Sequence, residues 1–317
     1  MNKIAAIIVT YNRKECLLNC LHAIRLQTLA PDIIYIVDNH STDGTPDVLL
    51  ENQYIADNVA DHITEDLIAA FQISSFNNAD TAILIKYVYK SENTGGAGGF
   101  YTGMKMAYDD GYEWLWMMDD DGLPAKDGLE QLFRYSNKYN LHFANALVVN
   151  INDRYSLPFF LERSKKNLDD CKGMDIIYNK ITPFNGSFIS RIVPEKIGFI
   201  KKEMFIWGDE REYYARSLKN KFVVGTVTKS IHYHPEAKDV EVNIFPFVNR
   251  FKVVLRSGNF FYICYRNIGY LFYTYNRVTF YRMLVSYMLY FIIRFKFAEC
   301  AKFLAAYIDG SKNKFGK

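Results

Sequence analysis

The chain has 317 residues, half of them hydrophobic, and 38 Lys+Arg against 35 Asp+Glu give a formal charge of only +3. That composition excludes a disordered chain, and the length allows one large domain or one domain with an appendage. Five cysteines (Cys16, Cys20, Cys171, Cys264, Cys300) form no C-x-x-C pair, which argues against a disulfide framework or a zinc site and for reduced cytosolic thiols.

The apolar opening run Ile4-Ala5-Ala6-Ile7-Ile8-Val9 is too short for a signal peptide and predicts a buried strand over 3–10. Leu17, Leu18, Leu21, Ile24 and Leu26 follow helical spacing, so 14–28 is a helix. A second strand over 33–37 closes at Asp38-Asn39. The turn Ser41-Thr42-Asp43-Gly44-Thr45-Pro46 leads into a helix, with Thr45 as the expected N-cap. Strand, helix, strand, helix within about 50 residues implies parallel βαβ units. The segment 53–80 mixes helical and polar stretches. A third strand region covers 82–89, and the glycine-rich run 95–99 opens a helix to about Asp110. A fourth strand, 113–118, runs straight into Asp119-Asp120-Asp121-Gly122, and a helix over 125–139 follows Pro124. Further strands are expected at 144–151 and 185–191. Trp207-Gly208-Asp209-Glu210 opens a helix to about Lys219, and 222–227 is a last strand, ending near His232-Tyr233-His234.

Several of these stretches carry chemistry. The three carboxylates at 119–121 follow a hydrophobic strand, and ligands of open parallel sheets bind beyond the carboxyl ends of strands. Extended geometry sends Asp119 and Asp121 to one side, where hard oxygens hold Mg²⁺ or Mn²⁺ against phosphate; a solvated acidic turn has the same sequence. The glycines at 95–99 match neither G-x-G-x-x-G nor a P-loop, and they read as a backbone that approaches an anionic ligand or as a plain turn. Asp38 is placed to accept from a nucleobase or ribose, or to cap its own turn. Asp209-Glu210-Arg211-Glu212 concentrates acid where a helix dipole favours it, and also where a sugar hydroxyl would find a general base. His232 and His234 face one side if extended, and either suits a third metal ligand.

Together these residues resemble the GT-A glycosyltransferases of family 2. The resemblance is carried by Ile8-Val9-Thr10-Tyr11-Asn12-Arg13, by Val37-Asp38-Asn39-His40-Ser41-Thr42-Asp43-Gly44-Thr45, by Asn93-Thr94-Gly95-Gly96 and by Met118-Asp119-Asp120-Asp121, in that order over residues 3–235. The stretch 205–214 looks most like the bacterial galactofuranosyltransferase and rhamnosyltransferase branches. The resemblance implies an α/β fold of GT-A (Rossmann-like) type, a mixed, mainly parallel sheet flanked by helices. It implies inverting transfer of a galactofuranose, galactose or rhamnose-class sugar from a UDP- or dTDP-linked donor to a glycan or polyprenyl-linked acceptor, as in O-antigen or capsule synthesis. Carried over, Thr10, Tyr11, Asn12 and Arg13 flank the nucleotide, Asp38 binds base or ribose, and Asn93, Gly95 and Gly96 line the donor. Asp119 and Asp121 fill the D-x-D metal positions for Mn²⁺ or Mg²⁺, with Asp120 between them at the donor. Aligning Glu212 and Arg216 puts the base at Glu210, where the family usually has Asp, and Asp209 is its rival. A histidine after the last strand binds metal in related enzymes, which favours His234 over His232. The alternatives are a non-catalytic nucleotide-sugar-binding scaffold and a nucleotidyltransferase.

From residue 244 the chain changes character. Residues 244–317 hold 12 Lys+Arg but only Glu299 and Asp309 as acids, and 21 of the 51 aromatics. The balance is +10 here and −7 over 1–243, which suggests a catalytic domain at 1–243 and a helical aromatic and basic extension at 244–317. The uncharged run 283–293 is shorter than the roughly 20 residues of a spanning helix. Together with the uncharged aromatic stretch 267–276, it suits helices lying in an anionic membrane interface, or a helical subdomain that simply buries its rings. Tyr262, Tyr265 and Arg266 are placed to line an acceptor site. The aromatics lie in apolar runs rather than a polar basic groove, which argues against nucleic acid. The expected location is cytoplasmic, peripheral on the inner face of the cell membrane.

Overall fold

The computed structural model describes residues 3–55, 67–74, 82–159, 161, 164–236, 240–245, 248–256 and 258–316. Much of the ambiguous segment 53–80 therefore lies outside the described residues. The chain divides into two compact units: Met1–Ile200 with Arg216–Glu236, and Lys201–Ala215 with Ala237–Lys317.

The first unit is built on one sheet. In chain order its elements are β1 (Ile4–Thr10), α1 (Lys14–Arg25), β2 (Ile33–Asp38), α2 (Thr45–Glu51), β3 (Leu67–Ser74), β4 (Ala82–Tyr89), α3 (Gly95–Asp109) and β5 (Trp114–Asp119). There follow β6 (Leu123–Pro124), α4 (Gly128–Tyr139), β7 (Phe143–Asn150), β8 (Ile176–Tyr178), β9 (Asn185–Ser190) and α5 (Ile192–Ile197). The boundary between the units falls inside α6 (Asp209–Lys219), and β10 (Val224–His234) completes the set. The ten strands run in the order β3-β4-β2-β1-β5-β9-β7-β10-β6, with β8 paired to β10. The β4, β2, β1 and β5 strands are mutually parallel, as are β7 and β10, whereas β9 pairs antiparallel with both β5 and β7. The α/β sheet expected from the alternating pattern is therefore present, mixed and mainly parallel.

Strands β1 and β2 are buried at every position, which is why they read as unbroken apolar runs rather than alternating ones. Helix α3 lies directly on β1 because two of its glycines, one turn apart, leave room. A Cβ at Gly99 would sit 2.5 Å from Val9 Cγ1, and one at Gly103 would sit 2.4 Å from Ile7 Cγ2. Part of the glycine richness that reads as a ligand loop is thus helix–sheet packing. Helix α2 starts one residue earlier than expected. Gly44, with φ 83°, takes the cap position, and Asp43 Oδ1 accepts from the Thr45 amide at 3.2 Å and from its hydroxyl at 2.6 Å.

The second unit holds the hairpin β11 (Val240–Phe245) and β12 (Val248–Leu255), then α7 (Phe261–Tyr275), α8 (Arg277–Ile293) and α9 (Phe297–Ser311). Helices α7 and α9 meet at backbone distance. A Cβ at Gly310 would lie 1.9 Å from the Arg266 carbonyl oxygen, and one at Gly269 would lie 2.3 Å from that of Tyr307. Tyr265, Tyr287, Phe303 and Tyr307 interlock between the helices with ring centroids near 5.1 Å. No described helix is long and apolar enough to cross a membrane.

Candidate active site

Parallel pairing brings the ends of β1, β2 and β5 to one edge of the sheet. Thr10 is opposite Asp38, and Val9 is opposite Asp119. Beyond that edge the backbone is released from the ladder, so the next side chains are free to converge. Arg13 crosses from the β1 loop to the acidic run, with Nη1 2.7 Å from Asp121 Oδ2 and 3.3 Å from Asp120 Oδ1. The Thr10 hydroxyl donates to Asp120 Oδ2 at 2.7 Å. Thr10, Arg13, Asp119, Asp120 and Asp121 therefore form one cluster.

Its electrostatics follow from three carboxylates in little water. Burial pushes the Asp120 carboxyl up to about 6, against the hydrogen bond from Thr10 and the charge of Arg13. Burial and the charges of Asp121 and Asp120 raise Asp119 above the usual carboxylate range. Burial opposes the ionised form of Asp121 too, but the His234 ring and Arg13 outweigh it and hold that carboxyl low. The cluster thus carries more negative charge than Arg13 alone balances, and it favours a cation.

The two histidines of β10 separate by environment. His234 places Nδ1 2.7 Å from the Pro235 carbonyl oxygen and Nε2 3.1 Å from Asp121 Oδ1. A carbonyl only accepts, so Nδ1 is the donor there, and Nε2 faces the carboxylate. Burial opposes the charged ring, but the hydrogen bond and charge of Asp121 outweigh it and raise the His234 pKa, so in the charged form Nε2 donates to Oδ1. In the neutral ring the Nε2 lone pair and the Asp121 carboxylate are both acceptors, a pair that suits a cation. Asp121 and His234 are an oxygen and an imidazole donor of the kind that Mn²⁺ takes, and Nδ1 held by a backbone carbonyl fixes the ring's orientation. Among the described residues no group of three His, Cys, Asp or Glu side chains is placed to hold a metal ion. His232 is different. Its ring is fully buried between Gly122 and Gly186, and burial drives its pKa down to about 3, so it is neutral. Neither ring nitrogen has a hydrogen-bond partner among the described residues.

A second cluster lies at the end of β2. Asp38 is fully buried, with Oδ1 accepting from the Ser41 amide at 2.7 Å and Oδ2 from the Tyr87 hydroxyl at 2.8 Å. Burial raises its pKa, and these hydrogen bonds resist the rise. Asn39 ties this loop to the glycine-rich helix: its Oδ1 accepts from Thr94 N and Oγ1, and its Nδ2 donates to the Gly95 carbonyl. Asn93 Oδ1 accepts from the Gly95 amide at 2.8 Å, and Gly95 needs its positive φ of 72° to make the turn. A Cβ at Gly96 would meet nothing within 4 Å, so that face of the helix start is open. Asn12, at φ 52°, donates its amide to Ser41 Oγ and accepts from the Thr42 amide, which locks the β1 and β2 loops together. Tyr11 stands exposed beside them.

Asp209 and Glu210 stand in the second unit at the start of α6. The approach to that helix is strained: Phe205, Trp207 and Gly208 have φ of 67°, 59° and 100°. Left-handed aromatics cost about 1–3 kcal/mol each unless neighbours hold them. The holder is Asn267, buried on α7, whose Nδ2 donates to the carbonyls of Met204, Ile206 and Trp207 at 2.8–2.9 Å. Its Oδ1 accepts from Arg266, which also donates to the carbonyls of Glu203 and Met204. Arg266 and Tyr265 are thus buried supports rather than acceptor-lining groups. Glu210 Oε2 accepts from the Gly208 amide at 2.8 Å, Asp209 is 4 % exposed, and the buried Glu212 accepts from the Tyr275 hydroxyl. Sequence reading missed Asn267, because an amide some 60 residues away leaves no local pattern.

Comparison with known proteins fits this geometry. The chain matches the family model "Glycosyl transferase family 2" over residues 5–63 and 54–189. It is 28 % identical over 242 residues to Galactofuranosyltransferase GlfT1 of Mycobacterium tuberculosis, covering 74 % of this chain and 70 % of that one. It is 27 % identical over 246 residues to GlfT1 of Mycolicibacterium smegmatis, covering 74 % and 72 %. Among solved structures, S. aureus TarS 1-349 in complex with UDP superposes with a TM-score of 0.53 at 14 % identity, over 86 % of this chain and 66 % of that one. A second TarS structure matches with a TM-score of 0.50 and is spanned over only 37 % of its chain. At such identities the superpositions speak for the GT-A fold alone. The family match covers β1 to β9 and with them every residue of the strand-end carboxylate cluster, so this chain belongs to glycosyl transferase family 2.

Proposed function

We propose that the chain is an inverting, metal-dependent glycosyltransferase. It moves a sugar of the galactofuranose, galactose or rhamnose class from a UDP- or dTDP-linked donor to a hydroxyl of a lipid-linked or polysaccharide acceptor in cell-surface glycan synthesis. The observation that carries the reading is the Arg13–Asp121–His234 cluster beyond the carboxyl ends of the parallel strands. The likeness to GlfT1 favours galactofuranose among the donor sugars.

The nucleotide lies along the loops after β1 and β2, with Thr10, Tyr11, Asn12 and Arg13 on one side and Asp38 at the base or ribose. Asn93, Gly95 and Gly96 line the sugar and diphosphate, with Asp120 holding the Arg13 end of that wall. Asp119, Asp121 and His234 are the residues that would hold Mn²⁺ or Mg²⁺; His232, enclosed between two glycines, serves as packing. When bound, the cation offsets negative charge on the leaving diphosphate. Glu210, with Asp209 as the competing candidate, takes the proton of the acceptor hydroxyl. The hydroxyl oxygen forms its bond to the anomeric carbon as the bond to the diphosphate oxygen breaks on the opposite face, so configuration inverts and nucleoside diphosphate leaves. We further read 1–243 as the catalytic part and 244–317 as an extension that meets an anionic membrane surface on its cytoplasmic side.

The test is a donor screen of UDP-galactofuranose, UDP-galactose and dTDP-rhamnose with Mn²⁺ and with EDTA. The expected outcome is metal-dependent release of nucleoside diphosphate from one donor. Release of pyrophosphate marks a nucleotidyltransferase instead, and donor binding without turnover marks a non-catalytic scaffold.

A further inference from the structure

The three C-terminal helices bury a set of rings between them, Tyr265, Tyr287, Phe303 and Tyr307 among them. On α8, however, the face turned away from that core does not become polar. Val278, Tyr281, Val285, Leu289 and Ile292 recur every three or four residues, and all five are exposed. That spacing places them on one stripe along the helix. At its end the chain turns through Phe295 in the left-handed region, and Phe295 and Phe297 are 81 % and 61 % exposed. Arg294 and Lys296 alternate with these two rings, Arg282 borders the stripe, and all three cations are exposed. Residues 277–297 contain no Asp or Glu.

A helix apolar on both faces has a second apolar neighbour besides its core. The 17 residues of α8 measure about 25 Å, less than the roughly 30 Å of a bilayer core, so the helix does not span one. Charge decides between the remaining occupants. A second copy docked through the same face by a twofold axis would set Arg282, Arg294 and Lys296 against themselves. Phosphate headgroups above an acyl layer match both the cations and the stripe.

We propose that the outward stripe of α8 and the turn at 294–297 form a docking face for an anionic lipid surface. The stripe and the two phenylalanines enter the acyl boundary, and Arg282, Arg294 and Lys296 meet headgroup phosphates. This deepens the reading of a membrane-borne acceptor and rests on it for its purpose, though the contact itself requires no transfer.

Co-sedimentation of the full chain with phosphatidylcholine vesicles, with and without phosphatidylglycerol, tests the face. The expected result is binding to the anionic vesicles only, weakening as salt rises. Val285→Glu with Leu289→Glu lowers the affinity about tenfold or more, and so does Phe295→Ser with Phe297→Ser. All four side chains are exposed, so the circular dichroism of the helices stays as in the parent chain. If the α8 variant loses helix, the turn variant decides. The proposal is overturned if the parent chain ignores anionic vesicles, or if folded variants bind as the parent does. It is equally overturned if the chain is a dimer that Leu289→Glu splits while vesicles are not bound. Transfer to a short water-soluble acceptor assays the catalytic reading separately. Vesicle binding without any transfer leaves the docking face standing and sinks that reading.

Discussion

Single side chains decide the chemistry at two places. Glu210 is the expected base, and its conversion to Gln removes the proton acceptor while leaving shape unchanged. Transfer is expected to fall about 10²- to 10⁴-fold with donor affinity retained, as read by steady-state kinetics beside calorimetric titration of the donor. Near-normal turnover in Glu210→Gln with loss in Asp209→Asn would move the role to Asp209. The second place is structural. A Cβ at Gly122 would stand 2.1 Å from His232 Nε2, and the ring has Gly186 on its other side. Gly122→Ala is therefore expected to destabilise the fold by about 1–3 kcal/mol, visible as a lower urea midpoint. A midpoint equal to that of the parent chain would mean the ring relaxes without cost. The glycine after the acidic run is thus a packing requirement.

Whole elements explain how weak local signals become a site. The β1, β2 and β5 strands are legible as apolar runs, and their shared register puts Thr10, Asp38 and Asp119 at one edge without any further specification. The loop before α6 is the opposite case. Its left-handed Phe205 and Trp207 stand against local preference, and the amide of Asn267 compensates by holding three carbonyls. Asn267→Asp keeps the volume and removes the donor, so it separates positioning from packing. It is expected to lower kcat for transfer while the affinity for donor nucleotide stays as in the parent chain. An unchanged kcat would show that the loop holds its shape without the amide. Loss of the bonds is worth about 1–3 kcal/mol in stability, which thermal denaturation reads independently.

For the whole molecule, the charge split after Asn243 is one division and the two compact units are another. The units group Lys201–Ala215 with the chain from Ala237 onward. The acidic helix start thus shares a unit with Arg266, Asn267 and Tyr275, which lie beyond residue 243. A fragment of residues 1–243 is accordingly expected to bind donor nucleotide but to lose transfer, with the loop at 203–208 open to protease. Full transfer by that fragment would show that the later helices do not position the base.

The sequence by itself determined the α/β alternation, the strand ends at Asp38 and Asp119, the acidic helix start and the unusual basic tail. Each of these is local: an apolar run, a breaker or a charge block is complete within a few residues. The tertiary structure alone decided what those stretches touch. It set Arg13 against Asp121 across 108 residues, faced His234 toward the same carboxylate, and enclosed His232 between two glycines. It also sorted the aromatic tail into core rings and an outward stripe. A helix that is apolar on both sides carries no periodicity to say which side is inside, so only its packing partners could assign the faces.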